Sequence, residues 1–449
     1  METKKLVLIV IDGLTPAMLE HAVESEDVPA LRFLMASGEY RRAVTTFPSL
    51  TPVCLSSIAT GAHPDVHGIP HLVWYHREEE RLVEYGSSFK AIRAAGTTQA
   101  IRDAVFGMNQ EHLSSRAVTV FEALEGAGLV TAAVNMVCYR GPARHAPTVP
   151  WLNRPAFGPT RFFYYNLFES DVTGAPLAIR TRAHGSVDEY ARVVGRWLVT
   201  RDGFDFLVFY LPDYDFASHA AGPEAAQHAL AHADRAVGSL LEAAGGPEEF
   251  LERYAVLLCS DHGQTRVDGA VRLQDSFSGY RLFRPGNGRG AELAVTASNR
   301  AGMVYRLAGC RSSPAELAER LDGHGHVVLY CENGTGVARR DGDELRFGPT
   351  ASGWETNGVD AVLAQPDALQ RAWAALGNPN AGDLLVSAAP GLEFADLGGR
   401  HHVGGGSHGS LEQGDSEVPM ISVGLGAPPA RIVDVTPRVL QHFGVSDAS

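Results

Sequence analysis

The chain has 449 residues, 45% hydrophobic and 20% charged, an ordinary globular composition with room for about three domains or one large elaborated one, so disorder is not the default state. Its formal charge of −14 gives a field that repels polyanions, and binding to nucleic-acid polymers is not expected. A small anionic substrate therefore needs a local positive site, such as bound metal.

In chain order, the apolar run at residues 6–11 reads as a first buried parallel strand; it is far short of the ~20 residues that cross a bilayer. Neither a signal peptide nor an anchor is read, and no membrane association is expected. Residues 131–137, 206–211, 256–259 and 420–423 read as later strands of the same kind. Between them, a helix at 29–37 stops at Gly38, Ser186 with Glu189 predicts a capping box before 190–199, and a helix at 223–241 ends before Gly245 and Gly246.

Residues 140–185, rich in Pro, Gly and aromatic side chains, read as a long loop. Its aromatics from Phe162 to Phe168 are a candidate base-stacking platform, weighed against a packed loop. From residue 286 the texture changes to a strand at 303–307, a helix opening at Ser313 with Glu316, a strand at 326–331 and a hairpin turned by Asp341 and Gly342. Residues 383–387 and 420–423 then read as further core strands before a last helix at 435–443. The prediction is an α/β fold: a core at 1–285 and 380–449 with a mainly parallel sheet flanked by helices, and a smaller α+β cap subdomain inserted at 286–379. Five scattered cysteines form no C-x-x-C pair, which argues against a disulfide framework or a thiolate zinc site and points to a reducing cytoplasm.

Three apolar runs end in acidic or histidine residues: Asp12, then Asp213 and Asp215, then Asp261 with His262. Strand carboxyl ends line one edge of a parallel sheet, where ligands bind in open α/β folds. His219 lies one helical turn beyond Asp215, and His408 sits in the Gly-rich run 404–409. Any one of these alone is more often a cap, a turn former or a surface group; together they make an Asp/His set without cysteine, suited to Zn²⁺ or Mn²⁺ rather than Ca²⁺ or Mg²⁺. Thr51, followed by Pro52, is the expected N-cap of a helix over 53–60, with its hydroxyl at the positive end of the dipole, where a nucleophile is favoured.

Ile9-Val10-Ile11-Asp12-Gly13, Phe47-Pro48-Ser49-Leu50-Thr51, Thr60-Gly61, His67-Gly68-Ile69, Asp215 to His219, Ser260-Asp261-His262-Gly263 and Gly406-Ser407-His408-Gly409 together resemble the alkaline phosphatase superfamily, nearest its nucleotide pyrophosphatase/phosphodiesterase branch. The resemblance implies an alkaline-phosphatase-like core and two divalent metal ions, zinc before manganese. One ion would be held by Asp215, His219 and His408, the other by Asp12, Asp261, His262 and the Thr51 oxygen. It further implies hydrolysis of phosphodiester or pyrophosphate bonds through a phosphothreonine formed on Thr51. Thr46 is a rival nucleophile, but Thr51 precedes Thr60-Gly61 by nine residues, as the family pattern requires.

Two departures stand out. The branch places a phosphate-binding asparagine five residues after the His of His-Gly-Ile, where this chain has Leu72, and it uses the backbone N–H after the nucleophile, which Pro52 lacks. Arg140, His71 and Lys90 are candidate replacements, read against ordinary solvated charges. His401 and His402 are candidates to line the site, whereas the pairs His228/His232 and His63/His67 read as a helix face and a turn. Two divalent ions against Asp12, Asp215, Asp261 and a Thr51 alkoxide give a near-neutral site that favours a singly charged diester unless Arg or Lys is added. The alternatives are a phosphonate hydrolase or a phosphomonoesterase of the same superfamily and, in another class, a metal-binding protein without turnover.

Overall fold

The computed structural model describes residues 3–170 and 186–446; the last part of the loop expected at 140–185 lies outside them. An eight-stranded sheet runs in the order Glu39–Val44, Glu417–Val423, Tyr254–Cys259, Lys5–Ile11, Phe206–Leu211, Thr131–Val134, Arg161–Tyr164, Phe168–Ser170. The strand Lys5–Ile11 pairs in parallel with Phe206–Leu211 on one side and Tyr254–Cys259 on the other. Leu6 to Ile11 are all buried, because helices cover both faces of the sheet. At roughly 1.5–3 kcal/mol per large apolar side chain, this burial explains the unbroken hydrophobic run.

Several expectations need correction. The strand at the carboxyl end, Glu417–Val423, is antiparallel to its neighbour Tyr254–Cys259, and Glu39–Val44 pairs with its other edge. The strand beginning at Thr131 stops at Val134, since Asn135 takes a left-handed conformation (φ +59°). Part of the expected long loop is sheet: Arg161–Tyr164 pairs in parallel with Thr131–Val134. Phe162, Phe163 and Phe168 are fully buried there and pack into the fold, whereas Tyr164 and Tyr165 of the same aromatic run line the cavity that also holds Asp12 and Thr51. Ser186 caps the helix Val187–Thr200 by accepting the Glu189 N–H at 3.2 Å, but the reciprocal half of the box is absent because the Glu189 carboxylate pairs with Arg192. The helix expected at 223–241 is a short 3₁₀ turn, Pro223–Ala226, running into Gln227–Ala243.

A second sheet is wholly antiparallel, in the order Leu293–Ser298, Ala301–Arg306, Leu384–Ser387, Val327–Glu332, Thr335–Arg340, Asp343–Thr350, Gly353–Gly358. Leu384–Ser387, expected in the main sheet, is an inner strand of this one and draws it from beyond residue 380. Met303, Tyr305, Leu329 and Leu385 share a core with Phe47, Trp74 and Tyr75, which tie the second sheet to the segments on both sides of the helix Thr51–Thr60. The two sheets also meet through a buried ion pair: Arg300 donates to Asp415 at 2.8 Å and to the carbonyls of Leu392 and Ala389. The five cysteines are unpaired. No described helix is long and apolar enough to cross a membrane.

His67 and His71 shape the segment linking the two sheets, each through a ring Nδ1 that accepts a backbone N–H, from Ile69 and Val73 respectively, both at 3.1 Å. Burial pushes them down to about 3 and about 4, and His112 likewise to about 4. Below pH 6.5 the unfolded chain binds protons these rings refuse, so their contribution is present above that value and lost as pH falls. One unit below it, each costs about 1.4 kcal/mol. Glu84 acts in the opposite sense. Burial raises it to about 7 while it accepts the N–H groups of Gly86 and Ser87, so its contribution is lost as pH rises through that value. The urea midpoint is expected to fall from about pH 7.5 to about pH 5.5, and to fall more steeply in Glu84→Gln; a flat midpoint in both proteins would contradict this account.

Candidate functional site

The register of the three central strands brings their carboxyl ends to one edge, and the residues that follow supply the side chains. Asp12 comes directly after Lys5–Ile11, and Asp261 and His262 follow Tyr254–Cys259. Asp215 and His219 share one face of the helix Asp213–Ala221, with His219 Nε2 3.2 Å from Asp215 Oδ2. Gly13, at φ +68°, lets the chain turn where a Cβ would meet Asp215 Oδ1 at 2.8 Å. At Gly405 a Cβ would lie 2.1 Å from the His219 carbonyl oxygen; the glycine permits the close approach of the segment that carries His408.

The side chains form two sets whose ligand atoms lie within 4.8 Å of one another: Asp12, Asp261 and His262, and Asp215, His262 and His408. His219 joins the second set through Asp215, while the His262 and His408 rings stack with centroids 3.6 Å apart. Thr51 Oγ1 lies 3.1 Å from His262 Nε2. The expected N-cap is displaced by one: Leu50 is the extended cap, Thr51 opens the helix Thr51–Thr60, and Pro52 stands second. The Thr51 hydroxyl thus makes no cap and faces the acidic cluster. Thr46 is buried against Cys54 and Ser57 and does not line the cavity.

The donor chemistry can be read from the hydrogen bonds. His219, His262 and His408 each place Nδ1 within 2.8 to 3.0 Å of a backbone carbonyl, of Gly406, Gly263 and Ser49. A carbonyl only accepts, so each Nδ1 carries a proton, and in its neutral form each ring turns an Nε2 lone pair toward the carboxylates. Asp12 Oδ1 and Asp261 Oδ2 are buried without a hydrogen-bond donor. Lone pairs facing lone pairs in a buried site call for a cation, and this nitrogen and oxygen set fits a divalent transition ion.

Burial raises Asp12, and the neighbouring charges of Asp261 and Asp215 add to the rise against the lowering Tyr210 hydrogen bond. Asp261 is raised by burial. For Asp215 burial pulls upward too, but His219, His408 and His262 outweigh it and hold the carboxyl far below its usual range. His408 is driven well down by burial and by the His262 charge.

Supporting residues that the sequence reading passed over are the Tyr210 hydroxyl, which donates to Asp12 Oδ2, and Gln264, whose amide donates to Asp215 Oδ1. Gln264 lies two residues past His262, a local signal; Tyr210 reaches Asp12 only through strand pairing. Of the three candidate phosphate donors, Lys90 lines the same cavity of about 850 Å³ as Thr51, Asp12, Asp215 and His408. Arg140 does not: it is spent on Glu122 at 2.9 Å and on the carbonyls of Leu113 and Ser114. His71 is buried in the link between the sheets and is not part of the cavity lining. Arg400 and His402 do line it, with His402 stacked on His219 and paired to Glu393, whereas His401 is exposed. His228 and His232 are an exposed pair on the helix Gln227–Ala243, outside the cavity.

Residues 6–411 match the model of the type I phosphodiesterase/nucleotide pyrophosphatase family. The chain belongs to this family. It is therefore a phosphoester hydrolase of the alkaline phosphatase superfamily, in a metal-dependent family that acts on phosphoric ester or anhydride bonds. No curated protein matches it. Among solved structures it is similar to phosphonoacetate hydrolase from Sinorhizobium meliloti 1021 in complex with phosphonoformate, at 19% identity and a TM-score of 0.61, over 100% of this chain and 96% of that one. It is also similar to an inactive variant of murine ectonucleotide pyrophosphatase/phosphodiesterase 5 in complex with AMP, at 11% identity and a TM-score of 0.64, over 99% and 96%. These likenesses show the shared alkaline-phosphatase-like fold.

Asp261→Asn removes one of two facing buried charges while keeping the shape. In chelator-treated protein this variant is expected to melt several degrees above the wild type, and zinc is expected to raise the melting temperature of the wild type much more than that of the variant. Equal zinc stabilisation of both proteins, followed by thermal scanning, would count against a cation between these carboxylates.

Proposed function

We propose that this protein hydrolyses phosphodiester or pyrophosphate bonds in small anionic substrates by double displacement, with Thr51 as nucleophile. The observation that carries the reading is the Thr51 hydroxyl 3.1 Å from His262 Nε2, beside two sets of buried ligand atoms and free of any capping bond. Asp12, Asp261, His262 and the Thr51 oxygen would hold one divalent ion and Asp215, His219 and His408 a second, zinc before manganese. Bound there, the ions would lower the pKa of the hydroxyl and offset charge on the phosphoryl oxygens.

In the first step Thr51 Oγ1 loses its proton and forms a bond to phosphorus as the leaving oxygen departs on the opposite side and takes up a proton. In the second, water forms the new P–O bond, the bond to Oγ1 breaks, and the hydroxyl is restored. Tyr210 and Gln264 hold Asp12 and Asp215 in orientation throughout. The five unpaired thiols support a reducing, cytoplasmic setting.

A second reading has its own observation. Lys90 and Arg400 line the cavity and add two positive charges to a site otherwise near neutral. That favours a substrate with an anionic group beyond the reacting phosphoryl, as in a pyrophosphate, a phosphomonoester or a phosphonate bearing a carboxylate.

On zinc-loaded protein, kcat/KM for bis-p-nitrophenyl phosphate is expected to exceed that for p-nitrophenyl phosphate, and Thr51→Ala and His408→Ala should each lower it about 10³-fold or more. Preference for the monoester, reversed by Lys90→Ala, would select the second reading. Bound zinc without threonine-dependent turnover of either ester would overturn the proposal and leave a metal-binding protein.

A further inference from the structure

Pro52 and Leu72 line the cavity but give it no hydrogen-bond donor, the one lacking an N–H and the other apolar. A donor does reach the cavity from elsewhere. The strands Leu293–Ser298 and Ala301–Arg306 of the second sheet are joined by Asn299 and Arg300 alone, and this two-residue turn carries the Asn299 side chain into the cavity lining. Asn299 takes φ +57°, a left-handed conformation that asparagine tolerates better than most residues.

The turn is fixed on every side. The Asn299 carbonyl accepts the Phe394 N–H at 2.6 Å, the Arg300 N–H donates to the His408 carbonyl at 2.8 Å, and the buried Arg300 guanidinium is held by Asp415. The amide orientation is fixed as well. Asn299 Oδ1 accepts the Ser298 hydroxyl at 2.8 Å, which leaves Nδ2 to face His408 Nε2 at 3.0 Å. Because His408 Nδ1 donates to the Ser49 carbonyl, its Nε2 is the acceptor of that amide. An ion held by His408 would take this lone pair, and the Asn299 N–H would then be a nearly buried donor in need of a new acceptor, at the wall of the cavity where Thr51 and Asp215 stand.

We infer that Asn299 is a substrate-binding residue, whose side-chain amide donates a hydrogen bond to a non-bridging oxygen of the phosphoryl group. The inference rests on the reading of this cavity as a phosphoryl-transfer site. It gives the second sheet a direct part in the reaction, through a donor fixed by the same turn that braces the His408 segment.

Two variants keep the turn: Asn299→Gly, which accepts the left-handed backbone and deletes the amide, and Asn299→Asp, which keeps the shape and replaces the donor by an anion. Orthophosphate is titrated calorimetrically into zinc-loaded wild type and both variants, zinc content is measured by mass spectrometry, and kcat/KM is read with bis-p-nitrophenyl phosphate. The expected result is full zinc in Asn299→Gly with orthophosphate affinity and kcat/KM each down about 10- to 100-fold, and a larger loss of both in Asn299→Asp. Affinity and kcat/KM within twofold of wild type in Asn299→Gly would overturn the inference and leave the proposed hydrolysis standing. Loss of zinc from that variant would also overturn it, assigning Asn299 to the metal site. Wild-type protein that binds zinc but neither orthophosphate nor ester would overturn both readings together.

Discussion

Three carboxylates, of Asp12, Asp215 and Asp261, are buried at one edge of a sheet, and an ionised carboxylate taken out of water costs several kcal/mol unless it is paired. The surrounding structure can be understood as a response to that cost. Tyr210 donates to Asp12, the Gly13 N–H and the His262 N–H approach Asp261, and Gln264 and His219 attend Asp215. The compensation is incomplete: one oxygen each of Asp12 and Asp261 remains without a donor. An arrangement that spends so many donors and still leaves two oxygens bare is poorly explained as a device for stability. It makes sense as a receptacle for positive charge.

Such a receptacle has to be rigid, because carboxylates free to move would relax apart. Rigidity comes from two sources of different physical kind. The central strands are locked by parallel pairing and by burial on both faces, which fixes Asp12, Asp215 and Asp261 through backbone register. His408 lies on an irregular glycine-rich segment with no long strand to hold it. Its place is set instead by close approach to His219 at Gly405, by the Ser49 carbonyl and by the turn braced through Arg300 and Asp415. Breaking a buried ion pair of this sort typically costs about 3–5 kcal/mol. The second sheet is thus coupled to the site mechanically as well as by the side chain it contributes.

This division also explains what the sequence made legible. The strands at Lys5–Ile11, Phe206–Leu211 and Tyr254–Cys259 are buried on both faces, so they leave continuous apolar runs, and the acidic residues at their ends follow at once. Placing Asp12, Asp215, Asp261 and His262 at one edge needed only the rule that parallel strands share a carboxyl edge, whereas Thr51, His219 and His408 were legible through a helix start, a one-turn spacing and the motifs of the resemblance. What escaped depended on pairing partner or direction. Glu417–Val423 looks like its neighbours but runs antiparallel, and Leu384–Ser387 is apolar enough for either sheet. Arg161–Tyr164 was hidden among aromatics that resemble a loop. Arg140 illustrates the same limit at a single residue: its charge is visible in the sequence, whereas its engagement by Glu122 and three carbonyls is not.

The wall of the cavity away from the sheet edge obeys different physics. Lys90 and Arg400 come from segments without deep register constraints, and Phe89 and Phe216 line the same cavity while 77% and 59% exposed. Exposed phenylalanines beside two cations are costly to leave uncovered without a ligand, yet they suit a substrate that presents anionic charge next to an apolar or flat group. In the proposed reading the sheet edge governs reaction class, because buried metal ligands and a nucleophile tolerate little variation. The loops govern which ester is chosen, because charge and aromatic surface there can change without disturbing the core. Asn299 stands between these two regimes: it projects from a turn as a loop residue does, but the turn is clamped like a core element, so a donor placed there acts on the reacting phosphoryl rather than on the leaving group.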